Sequence, residues 1–196
     1  MGTETEWKFS ADSGVFQRVQ AAYPGAYRAI AMETVYYDTP AGALSQAGVT
    51  LRRRRENGVG ICTVKTRAQG LRRGEWECRA ETIQAGFPEL RRISSLEELA
   101  NLPPESLIPI CGARFTRRAL EISLSGGTVE LALDQGVLCG GGRELPFAEI
   151  EVEGKTGAES VWAAFVRRFS ADFSLKGQPL SKFRRALDLA KGDTYG

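Results

Sequence analysis

The chain has 196 residues and carries 26 Lys and Arg against 24 Asp and Glu, a formal charge of +2, with 42% hydrophobic residues. Such a chain is one domain of ordinary size that can bury a core without staples, and its charge balance gives no overall basic field for nucleic acid. It contains no histidine, which excludes Ser-His-Asp and Cys-His catalysis, phosphohistidine chemistry and His-ligated zinc; a metal would need oxygen ligands, as Mg²⁺ or Mn²⁺ prefer.

The first predicted strand runs from Thr3 to Phe9. Strand periodicity puts Glu4, Glu6 and Lys8 on one face and Thr5, Trp7 and Phe9 on the other, whereas a helix would scatter the charges. Asp12-Ser13 or Ser13-Gly14 can cap a short helix carrying Val15, Phe16, Val19 and Ala22, and a strand follows from Met32 to Tyr37. Asp38-Thr39-Pro40 closes that strand, with Asp38 as a turn former, and Ala41 to Gly48 is a short connection. Val49 to Arg55 and Ile61 to Arg67 form a hairpin around Asn57-Gly58. Arg72 to Glu81 alternates again, with Glu75 and Glu77 on one face and Trp76 and Cys78 on the other. Ser95-Leu96-Glu97-Glu98 has the pattern of a capping box opening a short helix.

The second half predicts strands from Ala113 to Ser123, Thr128 to Gln135 and Phe147 to Glu153, with glycine turns between them. Two helices end the chain, Ala158 to Phe169 and Pro179 to Ala190, each with apolar residues at helical spacing. The four cysteines, Cys62, Cys78, Cys111 and Cys139, form no CxxC pair and read as reduced, buried thiols of a cytoplasmic protein. No apolar run is long enough to cross a membrane.

Eight strands spaced as an antiparallel meander predict an α+β fold built on a closed barrel. The ordinary arrangement would put the charged strand faces in water. Against it, the charges are sorted by strand, with Arg52, Arg54 and Lys65 in one region and Glu149, Glu151 and Glu153 in another. Adjacent carboxylates recur on one strand face at Glu4/Glu6, Glu75/Glu77 and Glu149/Glu151, a repulsive arrangement unless a cation lies between them. The alternative is an inverted barrel, charged inside and apolar outside beneath the helices, suited to a ligand bearing many charges. Arg53 and Arg55 have the opposite parity and read as surface charges. Glu153, at a strand end, suits the rim as well as a metal.

These segments resemble the CYTH superfamily, also called triphosphate tunnel metalloenzymes. Glu4-x-Glu6-x-Lys8 matches its ExExK motif, followed in order by Tyr36-Tyr37-Asp38-Thr39-Pro40, Leu51-Arg52-Arg53-Arg54, Thr63-Val64-Lys65, Glu75-Trp76-Glu77, Ala132-Leu133-Asp134-Gln135-Gly136, Glu149-Ile150-Glu151-Val152-Glu153 and Leu180-Ser181-Lys182. The match spans nearly the whole chain, implies one domain over residues 1–196, and is closest to bacterial inorganic triphosphatases. Some of those carry a further C-terminal helical domain, so this chain would be a single-domain member or an excised domain. One departure is Phe115-Thr116-Arg117, where the family commonly has Lys-x-Arg.

The resemblance implies an eight-stranded closed tunnel with a charged lumen and helices outside, hydrolysing inorganic triphosphate with Mg²⁺ or Mn²⁺. Lys8, Arg52, Arg54, Lys65, Arg117, Lys182 and Arg185 would bind phosphate; Glu4, Glu6, Asp134, Glu149 and Glu151 would bind metal. Glu4, Glu6, Lys8, Glu75 and Glu77 would serve catalysis, the attacking water being activated either by a second metal or by Glu75 or Glu77. The expected partner is a small polyphosphate, with neither nucleic acid nor membrane, for a monomer or homodimer. Competing readings are a class IV adenylate cyclase or thiamine triphosphatase, and a non-catalytic polyphosphate- or nucleotide-binding module.

Overall fold

Alternation of charged and apolar residues gives this chain long antiparallel strands, and a computed structural model describes them over residues 2–67 and 72–192. The side chains of residues 2–4, 72 and 73 lie outside the described set. The strands are β1 (Gly2–Ser10), β2 (Arg28–Asp38), β3 (Thr50–Glu56), β4 (Val59–Lys65), β5 (Arg72–Arg79), β6 (Ile108–Leu124), β7 (Gly127–Gly140), β8 (Arg143–Gly157) and the two-residue β9 (Lys176–Gly177). The helices are α1 (Ser13–Ala22), α2 (Ala43–Ala47), α3 (Ile83–Ser94), α4 (Glu97–Ala100), α5 (Glu159–Asp172) and α6 (Lys182–Lys191).

The nine strands form one sheet in the order β5-β4-β3-β2-β6-β7-β8-β1-β9, and β1 also pairs with β5. That pairing is split along β1: Gly2 to Thr5 run against β5, while Glu6 to Ser10 run against β8. The expected eight-stranded, fully closed barrel is corrected on both counts. A ninth strand follows α5 and pairs with Phe9 and Ser10, and β1 exchanges partners instead of keeping both along its length. The sheet nevertheless curls enough for residues of β1, β2, β3, β4, β6 and β8 to line one cavity.

Three apolar clusters show how the faces are used. Trp7, Phe9, Leu131, Leu133, Ile150 and Val152 pack on the outer face beneath α1 and α5, with Phe16, Val19, Val166 and Phe169. Leu51, Cys62 and Val64 pack on the same outer face beneath α2 and α3, with Leu44, Ile83, Phe87 and Leu90. The third lies on the inner face, where Met32, Tyr36, Ala113, Phe115, Leu138 and Phe147 meet Phe183 and Ala186 of α6. The expectation that every helix packs outside therefore fails for α6, which fills one end of the concave face.

Phe169 is fully buried and touches Tyr23, Phe165 and Phe173 with ring centroids 5.7, 5.6 and 5.1 Å away. Phe169→Ala is expected to cost about 3–5 kcal/mol of stability through lost burial and the cavity left behind. Urea unfolding measures it, and a loss under about 1 kcal/mol would mean that α5 does not hold the sheet.

α3 has no counterpart among the predicted elements, because Gly86 and Pro88 interrupt its pattern. Pro88 lies on the exposed side of the helix, where the carbonyl it frees can be hydrated, and Thr82 caps the N-terminus by accepting from the Ala85 N–H at 3.2 Å. The capping box expected at Ser95 is also corrected. Ser95 ends α3 in a left-handed conformation with φ 53°, and α4 begins after Leu96 without a side-chain cap.

Candidate active site

Register builds the site in rows across the sheet. Arg117 of β6 stands opposite Asp134 of β7, which stands opposite Glu149 of β8. Glu151, two residues on, stands opposite Lys8 of β1, and Glu6 opposite Glu153. On the other side, Tyr36, Arg52, Thr63 and Glu77 form a row across β2 to β5, and Thr50, Lys65 and Glu75 form the next. Side chains on one face of adjacent strands are close enough to interact, so two charged groups confront each other across the concavity. Between them is a cavity of about 80 Å³ lined by Glu6, Lys8, Arg52, Arg54, Lys65, Arg117, Glu151 and Lys182.

The first group is acidic at its centre. Asp134, Glu149 and Glu151 each offer a carboxylate oxygen, all within 4.8 Å of one another. Asp134 and Glu149 are fully buried, so their charges require partners. Arg117 donates to Asp134 from Nε at 2.8 Å and from an Nη at 2.7 Å, and it also bonds Glu151. Lys182 Nζ lies 2.8 Å from Asp134 and 2.9 Å from Glu151 and bonds Glu149, which Arg185 bonds as well. Burial works against the charge of Lys182, but Glu151, Asp134 and Glu149 outweigh it and raise its pKa. Burial likewise opposes ionisation of Glu151, yet Lys182 and Arg117 hold its pKa well below the ordinary carboxylate value. Glu149 goes the other way: burial, aided by the Glu151 charge, raises its pKa despite Lys182 and Arg185.

The second group is richer in cations. Lys65 pairs with Glu75 at 2.8 Å, and Arg52 approaches Glu75 at 3.5 Å and Glu77 at 3.9 Å. Arg54 pairs with Glu56 at 2.6 Å and Glu77 at 3.6 Å. Burial, aided by the neighbouring Arg52, lowers the pKa of Arg54 despite Glu56 and Glu77. Burial opposes the charge of Glu77, but Arg54 and Arg52 overcome it and lower its pKa.

The structure thus gathers Glu6, Lys8, Arg52, Arg54, Lys65, Glu75, Glu77, Arg117, Asp134, Glu149, Glu151, Lys182 and Arg185 on one concave face. The backbone of Glu4 stands opposite Arg73 in the β1–β5 pairing, and its side chain is outside the described residues. Glu153 pairs with Lys155 at 2.7 Å, half-exposed near the rim. Asp38 is buried and accepts from the backbone N–H groups of Thr39, Leu44 and Ser45, the expected turn role. Arg55 is a surface charge beside Glu81, as its parity predicted. Arg53 is not: only 9% exposed, it donates from Nε to the Glu81 carbonyl at 3.1 Å. Wrong parity for the lumen therefore did not mean solvent.

Several lining residues escaped the sequence reading. Thr34 and Tyr36 share the inward parity of β2, Thr50 that of β3, and the uncharged face simply carries no signal. Phe115 and Phe147 lie against Lys182, whose Nζ is 5.1 and 5.5 Å from their ring centroids. Phe115 therefore supplies an aromatic wall behind a cation that comes from α6. All four cysteines are free, and burial raises the thiols of Cys62 and Cys111 to about 12. Thiols raised by burial in this way suit a structural role. Among the described residues no helix is long and apolar enough to cross a membrane.

Known proteins share this frame. A curated inorganic triphosphatase of Haemophilus influenzae is 29% identical over 153 residues, covering 76% of this chain and 43% of its own length, so the chain spans less than half of that relative. A solved candidate adenylate cyclase of Bacillus halodurans superposes with a TM-score of 0.66 at 20% identity, covering 94% of this chain and 98% of that one. A candidate adenylyl cyclase of Hippeastrum, described as having a dominant triphosphatase activity, superposes with a TM-score of 0.67 at 18% identity, covering 100% and 98%. At such identities the superpositions speak for the fold. The family description that matches residues 2–187 is the CYTH domain, and with its strand order, charged concave face and ordered motifs the chain belongs to the CYTH family.

Proposed function

We propose that the protein hydrolyses inorganic triphosphate in this cavity with the help of a divalent cation. The observation that carries the reading is the meeting of Lys8, Arg52, Arg54, Lys65 and Arg117 around one cavity that Glu151 also lines, with Asp134 and Glu149 converging on Glu151 from behind. Cations alone would bind phosphate; the carboxylates add a seat for a hard metal. The donor set fits Mg²⁺ or Mn²⁺, because oxygens that share an ion at about 2.0–2.6 Å lie within roughly 5 Å of each other. Asp134, Glu149 and Glu151 would hold the ion, with Glu6 and Glu4 on the adjoining strand.

Arg52 and Arg54 offer forked donors to phosphate oxygens, and Lys8 and Lys65 compact charge. Glu75 and Glu77 hold these cations in place, and Thr63 steadies Glu77 through a 2.9 Å hydrogen bond. The lowered pKa of Glu77 suits a positioning anion better than a base that must take up a proton. Arg117 and Lys182 gather charge beside the carboxylates, where the terminal phosphoryl group would lie. Catalysis then rests on placing the phosphate chain in a field that neutralises charge developing on the bridging oxygen. A divalent ion bound here supplies polarisation of a phosphoryl oxygen.

The test offers purified protein tripolyphosphate, thiamine triphosphate and ATP with Mg²⁺ or Mn²⁺, following phosphate, pyrophosphate and cyclic AMP. Fastest phosphate release from tripolyphosphate is expected. Cyclic AMP with pyrophosphate would make it a cyclase, and tight binding without turnover a binding module.

A further inference from the structure

The centre of the carboxylate triad is held by a side chain of the protein itself. Lys182 Nζ is 2.8 Å from Asp134 and 2.9 Å from Glu151 and also bonds Glu149. These are the three residues whose oxygens converge within 4.8 Å. An ion bound to those oxygens at about 2.0–2.6 Å would lie almost against the ammonium. Two cations so close in a buried site repel strongly, so ion and ammonium exclude each other.

We infer that Lys182 is a tethered cation that competes with divalent metal for the triad, so that α6 sets the metal affinity of the site. This rests on the reading of the triad as the metal seat. Three features make the competition workable. Lys182 is the first residue of α6, after the Ser181 cap that accepts from the Arg184 N–H at 3.1 Å, so its stem can turn without disturbing the buried Ala186. Lys182 also lines the cavity shared with Arg52, Arg54 and Lys65, which gives the displaced ammonium a place beside an incoming polyanion. Phe115 and Phe147 back it with ring faces, and Arg185 keeps its bond to Glu149 when the ammonium leaves. The arrangement keeps three carboxylates neutralised where they would otherwise repel, and disfavours ion binding before a polyanion draws Lys182 away.

The experiment is Mn²⁺ titration of the full chain without phosphate, reading free Mn²⁺ by electron paramagnetic resonance, for the wild type, Lys182→Met and Lys65→Met. Lys182→Met is expected to bind Mn²⁺ at least about tenfold tighter, a difference of about 1.4 kcal/mol, while Lys65→Met, which removes a cation from the opposite group, gains less than half as much on the logarithmic scale. Equal affinity of wild type and Lys182→Met overturns the competition and leaves the metal reading standing. An equal gain in Lys65→Met also overturns it, since general charge would then account for the effect. No Mn²⁺ binding by any of the three overturns the metal reading and this inference together. Should Lys182→Met fail to fold, acetylation of Lys182 in the wild type, followed by mass spectrometry, decides the matter. Saturating Mn²⁺ should raise its labelling severalfold, and unchanged labelling with Mn²⁺ bound overturns the inference.

Discussion

Glu151→Gln is expected to lower tripolyphosphate turnover at least about 100-fold, the scale on which removing one preorganised charge acts. Glu151 stands between Lys182 and Arg117 and opposite Lys8. It joins the acidic triad to the cavity, whereas Asp134 and Glu149 lie behind it, fully buried. Glutamine keeps the size and loses the charge, so the fold should persist. The change also has a pH signature. Since the folded pKa of Glu151 lies well below 4.5, the unfolded chain holds more protons between the two values, and stability there rises with pH. The contribution is complete above the ordinary carboxylate range and is lost as pH falls through the depressed value. Glu149 acts in the opposite sense: its raised pKa reduces stability as pH rises from the ordinary value through the folded one. Glu151→Gln should therefore flatten the acid limb of a stability–pH profile measured by thermal melting. Turnover within about tenfold of wild type, or an unchanged acid limb, would remove Glu151 from the role assigned to it.

Arg117→Met should be among the most damaging single changes for the fold. Arg117 makes two parallel bonds to Asp134, whose side chain is fully buried, and a third to Glu151. Burial opposes its charge, and Glu151 and Asp134 together raise its pKa well above the ordinary value. Methionine leaves both carboxylates short of a counter-ion, a change that costs about 3–5 kcal/mol when a buried pair is broken from one side. Arg117→Lys should recover only part of this, because a single ammonium cannot reproduce the fork. Adding Asp134→Asn to Arg117→Met should regain stability, since it removes the stranded charge. Urea unfolding of the wild type, Arg117→Met, Asp134→Asn and the double variant gives the cycle. If Arg117→Met loses under about 1 kcal/mol, the carboxylates are hydrated and the pairing is not structural.

The sequence carried much of this site because β-strand parity is a strict code. Once Glu6 and Lys8, Arg52 and Arg54, and Glu149 and Glu151 are each assigned to one face, only the choice of face remains, and apolar partners such as Trp7, Leu131 and Ile150 turn the charges inward. What escaped lies where local pattern and tertiary context disagree. α3 contains Gly86 and Pro88 yet folds as a helix, because Ile83, Phe87 and Leu90 are fully buried and Pro88 faces outward. α6 carries its cations at Lys182 and Arg185 and its apolar residues at Phe183 and Ala186, a pattern equally consistent with an outer helix. Only the inward-facing Met32, Phe115 and Leu138, whose strands otherwise present charge to the lumen, reveal that the inner face has an apolar end for it. The split pairing of β1 is likewise invisible locally, since one strand serves two neighbours at different levels.

That split pairing bears on how the protein acquires its site. Glu6 to Ser10 zip against Glu149 to Glu153, and Gly2 to Thr5 against β5, so β1 completes its pairing only once a strand far along the sequence is in place. Pairings between remote parts of a chain are slow to form because loop closure precedes their reward. The hairpins β3–β4, β6–β7 and β7–β8 need no such delay. Glu6 and Lys8 therefore reach the cavity only when the seam joins, and a nascent chain can hold most of its sheet while having no complete binding face.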